Sequence, residues 1–245
     1  MKALLALCFG ALMTLQALPA HAQAKNRCGV LAMPNMYGPF DYRSANAGRR
    51  DLVESKHFDD GVAALTRRLT GPFGGDIGYT LMVFPNHPHA LLTMERLVEV
   101  EKQNPPEDSK YTIECWYERA LRYAPDDHIP RLLYANFLIK KQKLGEAREQ
   151  LDYVAKNTED NPFAQFNTGM LYMDIKDYDK ALTMAHHVIA LGIDRPDLRD
   201  RLVAAGRWVD PPAGAASAPE AAASAAPAPS TAASAPATGA SSTGR

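Results

Sequence analysis

The sequence predicts an all-α fold of antiparallel helix pairs stacked into a solenoid. Residues 161–193 divide into two short amphipathic helices, and Gly169 is small enough for these helices to approach each other. Similar small and apolar residues recur 34 positions apart, in the pairs Ala135 and Gly169, Ala147 and Ala181, and Val154 and Val188. Since one hairpin cannot bury its own apolar face, several copies are expected to stack around a shared core.

The N-terminal end of the chain is predicted to lie outside this array. Lys2 precedes an apolar run, and the sequence AHA at residues 20–22 follows it, which is typical of a secretory signal peptide over residues 1–22. Cleavage after Ala24 is an alternative. The apolar run is shorter than the roughly 20 residues of a membrane span. We therefore expect an exported protein with no membrane span, and the sequence leaves its oligomeric state open.

Residues 23–57 and 58–85 are the first parts of the mature chain. Residues 23–57 lack periodicity and are predicted to form an irregular arm, with a short helix over residues 50–56. Residues 58–85 are predicted to be a degenerate first repeat. In it, Asp59 or Asp60 caps one helix, and the pair Gly74-Gly75 turns the chain. Asp76 then caps a second helix that Pro85 ends.

The better repeats are predicted over residues 86–127, 128–161 and 162–195, and a capping helix over residues 196–209 closes the array. In the first of these, helices over residues 88–102 and 110–123 flank a break at Pro105 and Pro106. After Asp210 the chain is rich in Pro, Ala, Ser, Gly and Thr. Residues 210–245 are therefore predicted to be a disordered tail, because they have too little apolar surface to bury.

The repeat pattern resembles the tetratricopeptide repeat family. Gly169 and Ala181 stand at the family's spacing, and Tyr117, Ala120 and Pro125 occupy matching positions in an earlier unit. The chain also looks like exported, functionally unassigned tetratricopeptide proteins of Gram-negative bacteria. This resemblance implies a right-handed superhelix in the periplasm, whose first helices line a concave groove that binds peptides or protein segments.

The resemblance assigns the groove to apolar and amide side chains on two first helices: Leu132, Asn136 and Ile139 on one, and Phe163, Phe166, Asn167, Met170 and Met173 on the other. Aromatic and thioether surfaces adapt to irregular partners, so this stripe suits an apolar helix or an extended peptide of an unknown envelope protein. Asn136 is expected to hydrogen-bond the peptide backbone. The alternative is that the protein's own arm or tail covers the stripe.

Two other functions are considered. His87 and His89 could hold a metal ion, which would give a metal-binding or metal-dependent periplasmic protein. No cysteine or carboxylate stands at a recognised zinc spacing, so we predict neither a metal site nor a cofactor. The other alternative is a structural component of an envelope complex, tethered by the tail.

Enzymes and nucleic-acid-binding proteins are not favoured by this sequence. It lacks the glycine-flanked serine of hydrolases and the glycine-rich loop that binds phosphate, so an enzyme is not predicted. The formal net charge is −1, with acidic and basic residues interspersed. A nucleic-acid-binding protein would show a basic stripe instead.

The predicted mature chain has two cysteines, Cys28 and Cys115, in a compartment that permits disulfides. A bond between them would tie the arm to the helical body and contribute about 2–4 kcal/mol by restricting the unfolded chain. The alternative is a buried Cys115 with a free, exposed Cys28.

Overall fold

The computed structural model describes residues 28–32, 34–193 and 195–211. The predicted signal peptide and nearly all of the predicted tail lie outside these described residues. The described residues form ten α-helices and no strand, so the all-α prediction is confirmed for this part of the chain. None of these helices is long and apolar enough to cross a membrane.

In chain order the helices are α1 (Ala47–His57), α2 (Asp60–Ala63), α3 (Phe73–Val83), α4 (Pro88–Glu101), α5 (Ile113–Tyr123), α6 (His128–Lys140), α7 (Leu144–Asn157), α8 (Pro162–Asp174), α9 (Tyr178–Ala190) and α10 (Pro196–Ala204). Helices α4 to α9 form three consecutive pairs. Each first helix packs on its own second helix and on the first helix of the next pair, and α8 also packs on α10. This packing between neighbours is consistent with a helical solenoid.

The last two complete pairs repeat the same local structure. In the turn between α6 and α7, the backbone N–H of Lys143 donates to the carbonyl of Leu138 at 2.9 Å. In the turn between α8 and α9, Asp177 donates to Tyr172 at the same distance. Both donors and both acceptors are 34 residues apart in the sequence. The sequence period therefore has a counterpart in the hydrogen bonds of the turns.

The described part of the segment over residues 23–57 has no helix before Ala47 and then forms a helix longer than the one predicted over residues 50–56. Helix α1 begins before the expected helix over residues 50–56, because the side chain of Asn46 accepts a hydrogen bond from the backbone N–H of Arg49 and caps it. Helix α1 then packs against α3. The predicted arm thus supplies a helix that α3 contacts in the core.

The helix predicted to follow Asp59 is only the single turn α2. Asp59 caps it as expected, by accepting a hydrogen bond from the backbone N–H of Val62. The chain leaves the helix soon afterwards, because Leu65 adopts a φ of +57° in the left-handed region. Val62, Leu65 and Leu69, whose spacing favours a longer helix, instead pack on the core from α2 and from the loop that follows it.

Helix α3 begins at Phe73, so Gly74 and Gly75 lie within it and do not form the predicted turn. A Cβ atom on Gly74 would collide with the carbonyl oxygen of Glu107. The glycine therefore allows the loop over residues 102–112 to lie against the start of α3.

Asp76 is not the helix cap that the sequence predicted. Its buried carboxylate accepts hydrogen bonds from Thr70 and from Nδ1 of His57, at 3.0 Å in the latter case. Burial acts to raise the pKa of Asp76, but the hydrogen bonds from Thr70 and His57 outweigh it, and the pKa lies below its usual value. Asp76 therefore fixes the loop before α3 and the end of α1.

The beginning of the described chain is fixed to α5. Cys28 forms a disulfide bond with Cys115, so the bond that the sequence left open is present in this structure. The guanidinium of Arg119 is fully buried and donates hydrogen bonds to the carbonyls of Cys28 at 2.9 Å and Val30 at 2.7 Å. Arg122 donates to the carbonyl of Gly29 at 2.8 Å. Consecutive backbone carbonyls of the arm are therefore bound by one helix.

A polar network holds the next part of the arm. The side chain of Asn86 accepts a hydrogen bond from the backbone N–H of Tyr42 and donates to the carboxylates of Asp41 and Asp127, each at 2.8 Å. Arg43 forms an ion pair with Asp41, and its hydrogen bond to this carboxylate lowers the pKa of Asp41 to about 2. The network joins the arm to the loops before α4 and α6.

A buried carboxylate connects three helices. Glu95 on α4 accepts hydrogen bonds from the hydroxyl of Tyr117 at 2.6 Å and from the ammonium of Lys140 at 2.8 Å. Glu95 lies eight residues after the N-cap of α4. The same position holds Ala135 in α6 and Gly169 in α8. One pair therefore has an ionic contact where the others have a small residue.

Gly169 lies where α8, α9 and α10 meet. A Cβ atom there would be 3.0 Å from Cβ of Met184 and would collide with the side chain of Leu198. This is the close approach that the sequence predicted. The capping helix ends earlier than predicted, at Ala204, and Trp208 returns to pack on His186 of α9.

We expect Gly169→Leu to destabilise the protein, because the added side chain has no space among three packed helices. Overpacking of this kind costs about 1–3 kcal/mol. The control is Gly145→Leu in α7, where a Cβ atom would meet no other atom within 4 Å. Urea unfolding followed by circular dichroism measures both variants. Equal stabilities would contradict the close approach at Gly169.

Arg119→Met is expected to lower the free energy of unfolding by about 3 kcal/mol or more, since it leaves the carbonyls of Cys28 and Val30 without their donors. The exposed Arg96→Met is the control and should change stability by less than about 0.5 kcal/mol. Both are compared by urea unfolding with the disulfide intact. A similar small change in both variants would show that the arm is held without Arg119.

Candidate functional site

Helices α6 and α8 form the two walls of an open groove with a volume of about 530 Å³. Its lining consists of His128, Ile129, Leu132, Leu133, Asn136, Phe163, Ala164, Asn167, Met170 and Leu171. The lining is mostly apolar, and it contains no Asp, Glu, Lys or Arg. Such a surface can bind an uncharged apolar segment but offers no general acid or base beyond one histidine.

Five of the eight predicted groove residues meet in this groove: Leu132, Asn136, Phe163, Asn167 and Met170. They come from two helices that are adjacent in the array and separate in the sequence. Phe163 is 59% exposed although it is a large apolar residue. The neighbouring Ile129 is 44% exposed. Exposed rings and aliphatic chains lining a concavity are typical of a binding surface.

Ile139, Phe166 and Met173 do not line the groove, contrary to the prediction. Phe166 and Met173 are buried in the core between α8, α9 and α10, and the guanidinium of Arg195 lies 4.3 Å from the ring centre of Phe166. Ile139 packs against the core clusters on both sides of α6. On α8 the groove is lined by residues 163, 167, 170 and 171. Phe166, three residues after Phe163, lies on the neighbouring face of the helix, which faces the core.

The lining also contains residues that the prediction did not include. Leu133 and Leu171 lie four residues beyond Ile129 and Asn167, so they are on the same helix faces as the groove. His128 stands at the first position of α6. A complete i, i+4, i+7, i+8 spacing counted from Ile129 and Phe163 would have found the leucines. The groove position of His128 has no comparable signal in the sequence.

Two amide side chains in the groove have no internal partner. Asn136 on α6 is partly exposed and Asn167 on α8 is exposed. Within the described part of the chain, neither side chain has a hydrogen bond to another residue. Each amide offers two N–H donors and one acceptor, which is what a peptide backbone requires. The groove therefore combines apolar walls with free backbone-binding groups.

The described part of the arm does not occupy the groove. Residues 28–31 contact Arg119 and Arg122 of α5, and Phe40 and Tyr42 pack around Phe84 at the end of α3. No arm residue is among those that line the groove. The arm therefore covers α3 and α5 and leaves the faces of α6 and α8 open.

The two candidate metal-binding histidines lie in different environments. His87 is buried, its Nδ1 accepts a hydrogen bond from the backbone N–H of Ala90, and its ring stacks on Tyr42. His89 is exposed. Nδ1 of His87 thus caps α4, and Nε2 lies 3.3 Å from a carboxylate oxygen of Glu54. The structure therefore gives His87 a role in packing and capping.

Burial is the main cause that lowers the pKa of His87 to about 3, and the nearby His89 acts in the same direction. His87 is therefore neutral in the folded protein near neutral pH. In the unfolded chain it titrates near its ordinary value of about 6.5. The free energy of unfolding therefore falls as the pH falls below about 6.5, because the unfolded state then binds the additional proton.

A second potential ligand cluster is formed by Cys28, Cys115 and Glu118, whose ligand atoms lie within 4.8 Å of one another. The sulfur atoms of the two cysteines are bonded to each other. Since a metal ion needs free thiolates, this cluster cannot hold one while the disulfide is intact. It is the one such group of three found within the described residues.

Comparison with known protein families, with characterised proteins and with solved structures finds no match to this chain. Its function is therefore inferred from the groove itself. The properties that bear on function are the uncharged lining, the exposed Phe163 and the two unpaired asparagine amides.

We expect His87→Asn to flatten the pH dependence of stability between about pH 6.5 and pH 4. Asparagine can still cap α4 but does not titrate, so the slope of up to about 1.4 kcal/mol per pH unit from His87 disappears. Urea unfolding at several pH values measures the slope. His89→Asn, at an exposed position in the first turn of α4, should keep most of this slope. Equal slopes in His87→Asn and the wild type would contradict this assignment.

Proposed function

We propose that this chain is a periplasmic interaction scaffold of the tetratricopeptide type, and that the groove between α6 and α8 binds an apolar segment of another envelope protein. The observation that carries the proposal is a concave surface with an exposed Phe163 and two unpaired amides, Asn136 and Asn167. In this proposal the helix pairs form a right-handed superhelix, and the groove lies on its concave side.

The repeat register supports the tetratricopeptide part of the proposal. The residues that recur at a spacing of 34 are buried in both copies: Ala135 and Gly169, Ala147 and Ala181, and Val154 and Val188. Successive first helices also pack on one another, which is the arrangement that a superhelix of helix pairs requires. The predicted signal peptide supports export to the periplasm.

The chemistry of the lining defines the kind of segment that fits. Phe163 and Met170 provide ring and thioether surfaces that pack on aliphatic or proline side chains. Asn136 and Asn167 can hydrogen-bond the backbone of an extended peptide or the exposed end of a helix. Because the lining has no charged side chain, binding should depend little on salt.

Phe163→Asp tests the groove directly. A central aromatic contact is worth at least about 2 kcal/mol, so its loss should weaken partner binding by roughly 30-fold. Partners are recovered from envelope extract with the mature wild-type chain, identified, and titrated against each variant. Leu52→Asp on α1 is the control, because Leu52 is 56% exposed and lies outside the groove.

Asn136→Ala combined with Asn167→Ala should weaken the same binding without changing the fold, as checked by circular dichroism. Partners bound equally by the wild type, Phe163→Asp and the double alanine variant would exclude the groove as the binding site. Partners lost equally with Leu52→Asp would indicate a general effect of added charge.

A further inference from the structure

We infer that residues 212–245 of the same chain bind in the groove between α6 and α8 and compete there with the partner segment. This inference rests on the proposed function, since it concerns the regulation of the same groove. The sequence left two segments of this chain, the arm and the tail, as candidates to cover the groove, and we infer that the tail does so. The other, the arm, covers α3 and α5 in its described part.

After α10 the described chain runs beside α9, whose partner helix α8 is one wall of the groove. Trp208 packs edge-to-face on the ring of His186 in α9, with 5.3 Å between the ring centres. The carbonyl of Val209 accepts a hydrogen bond from Nε2 of His186 at 2.7 Å. The chain therefore reaches Pro211 beside α9. Helix α9 packs on α8, and α8 is one wall of the groove.

The remaining chain is long enough to reach the groove. Residues 212–245 number 34, and a random-coil peptide of 34 residues spans roughly 30 Å on average. Neighbouring helices are only about 10 Å apart. A tethered segment within this range has an effective concentration in the millimolar range. Even weak affinity for the groove would then suffice for occupancy.

The segment and the groove both have few or no charged side chains. The lining has no charged side chain, and the segment has only Glu220 and Arg245. The stretch between them is uncharged and contains Pro227 and Pro229. It can therefore enter the groove without removing a charge from water, which would cost several kcal/mol.

The composition of the segment also matches the groups in the groove. Proline-containing peptides favour an extended conformation without internal hydrogen bonds, so their backbone carbonyls remain free to accept. The amides of Asn136 and Asn167 are free to donate. Aromatic grooves bind such peptides through contact of rings with proline, and Phe163 provides an exposed ring here. Each proline also has a fixed φ, so it loses less conformational entropy on binding than another residue would.

Methionine methyl NMR on the full mature chain tests the inference. Met170 lines the groove, and the buried Met184 is an internal control. The wild type is compared with a variant in which residues 212–245 are replaced by a Gly-Ser sequence of the same length. We expect the Met170 signal to differ between the two proteins and the Met184 signal to be unchanged.

A synthetic peptide of residues 212–245 is then added to the Gly-Ser variant. It should move the Met170 signal towards its wild-type position in a saturable manner, with a dissociation constant in the millimolar range or below. Phe163→Asp in the Gly-Ser variant should abolish this shift, and Leu52→Asp should leave it unchanged.

Identical Met170 signals in the wild type and the Gly-Ser variant, with no shift on adding the peptide, would overturn the inference. A Met170 signal that changes only with protein concentration would also overturn it and would show that a second copy occupies the groove. The proposed function is tested separately, because the Gly-Ser variant can still bind the partner. If the inference holds, the Gly-Ser variant binds the partner more tightly than the wild type does.

Discussion

A buried arginine holds the N-terminal half of the described structure together. A guanidinium can be taken out of water only when its N–H groups find acceptors. For Arg119 the acceptors are backbone carbonyls of the arm, which come from about 90 residues earlier in the sequence. Burial of Arg119 and attachment of the arm therefore depend on each other. The disulfide at Cys115 lies one helical turn away and keeps these carbonyls near α5.

This attachment determines which surface remains open. The arm and its network around Asn86 cover α3, α5 and the loops before α4 and α6, and Phe40 and Tyr42 of the arm pack on Phe84. The first helices of the later pairs receive no such cover. The arm therefore leaves the apolar groove between α6 and α8 uncovered, and the amides of Asn136 and Asn167 in this groove have no partner within the described residues.

The sequence predicted the later helix pairs well, because short turns, small residues and buried positions repeat there with one period. It failed near residues 58–76, where contacts between distant segments decide the structure. Gly74 accommodates the backbone at Glu107, and Asp76 binds Thr70 and His57. Neither contact follows from local spacing. Within the groove, the sequence identified the two helices but misplaced Phe166 and Met173, since a repeat assignment does not fix how each helix is rotated about its axis.

Glu95 has a consequence for how the array could have grown. Copying or deleting a repeat preserves a solenoid only if each copy can pack against any other copy. The carboxylate of Glu95 depends on Tyr117 within its own pair and on Lys140 in the next. Removal of residues 128–161 would place Asp174 of α8 opposite Glu95, at the position that Lys140 holds now, so two negative charges would face each other. Loss of residues 128–161 would therefore replace an ion pair with a like-charge contact, so the pair that follows α5 is not interchangeable with the next one.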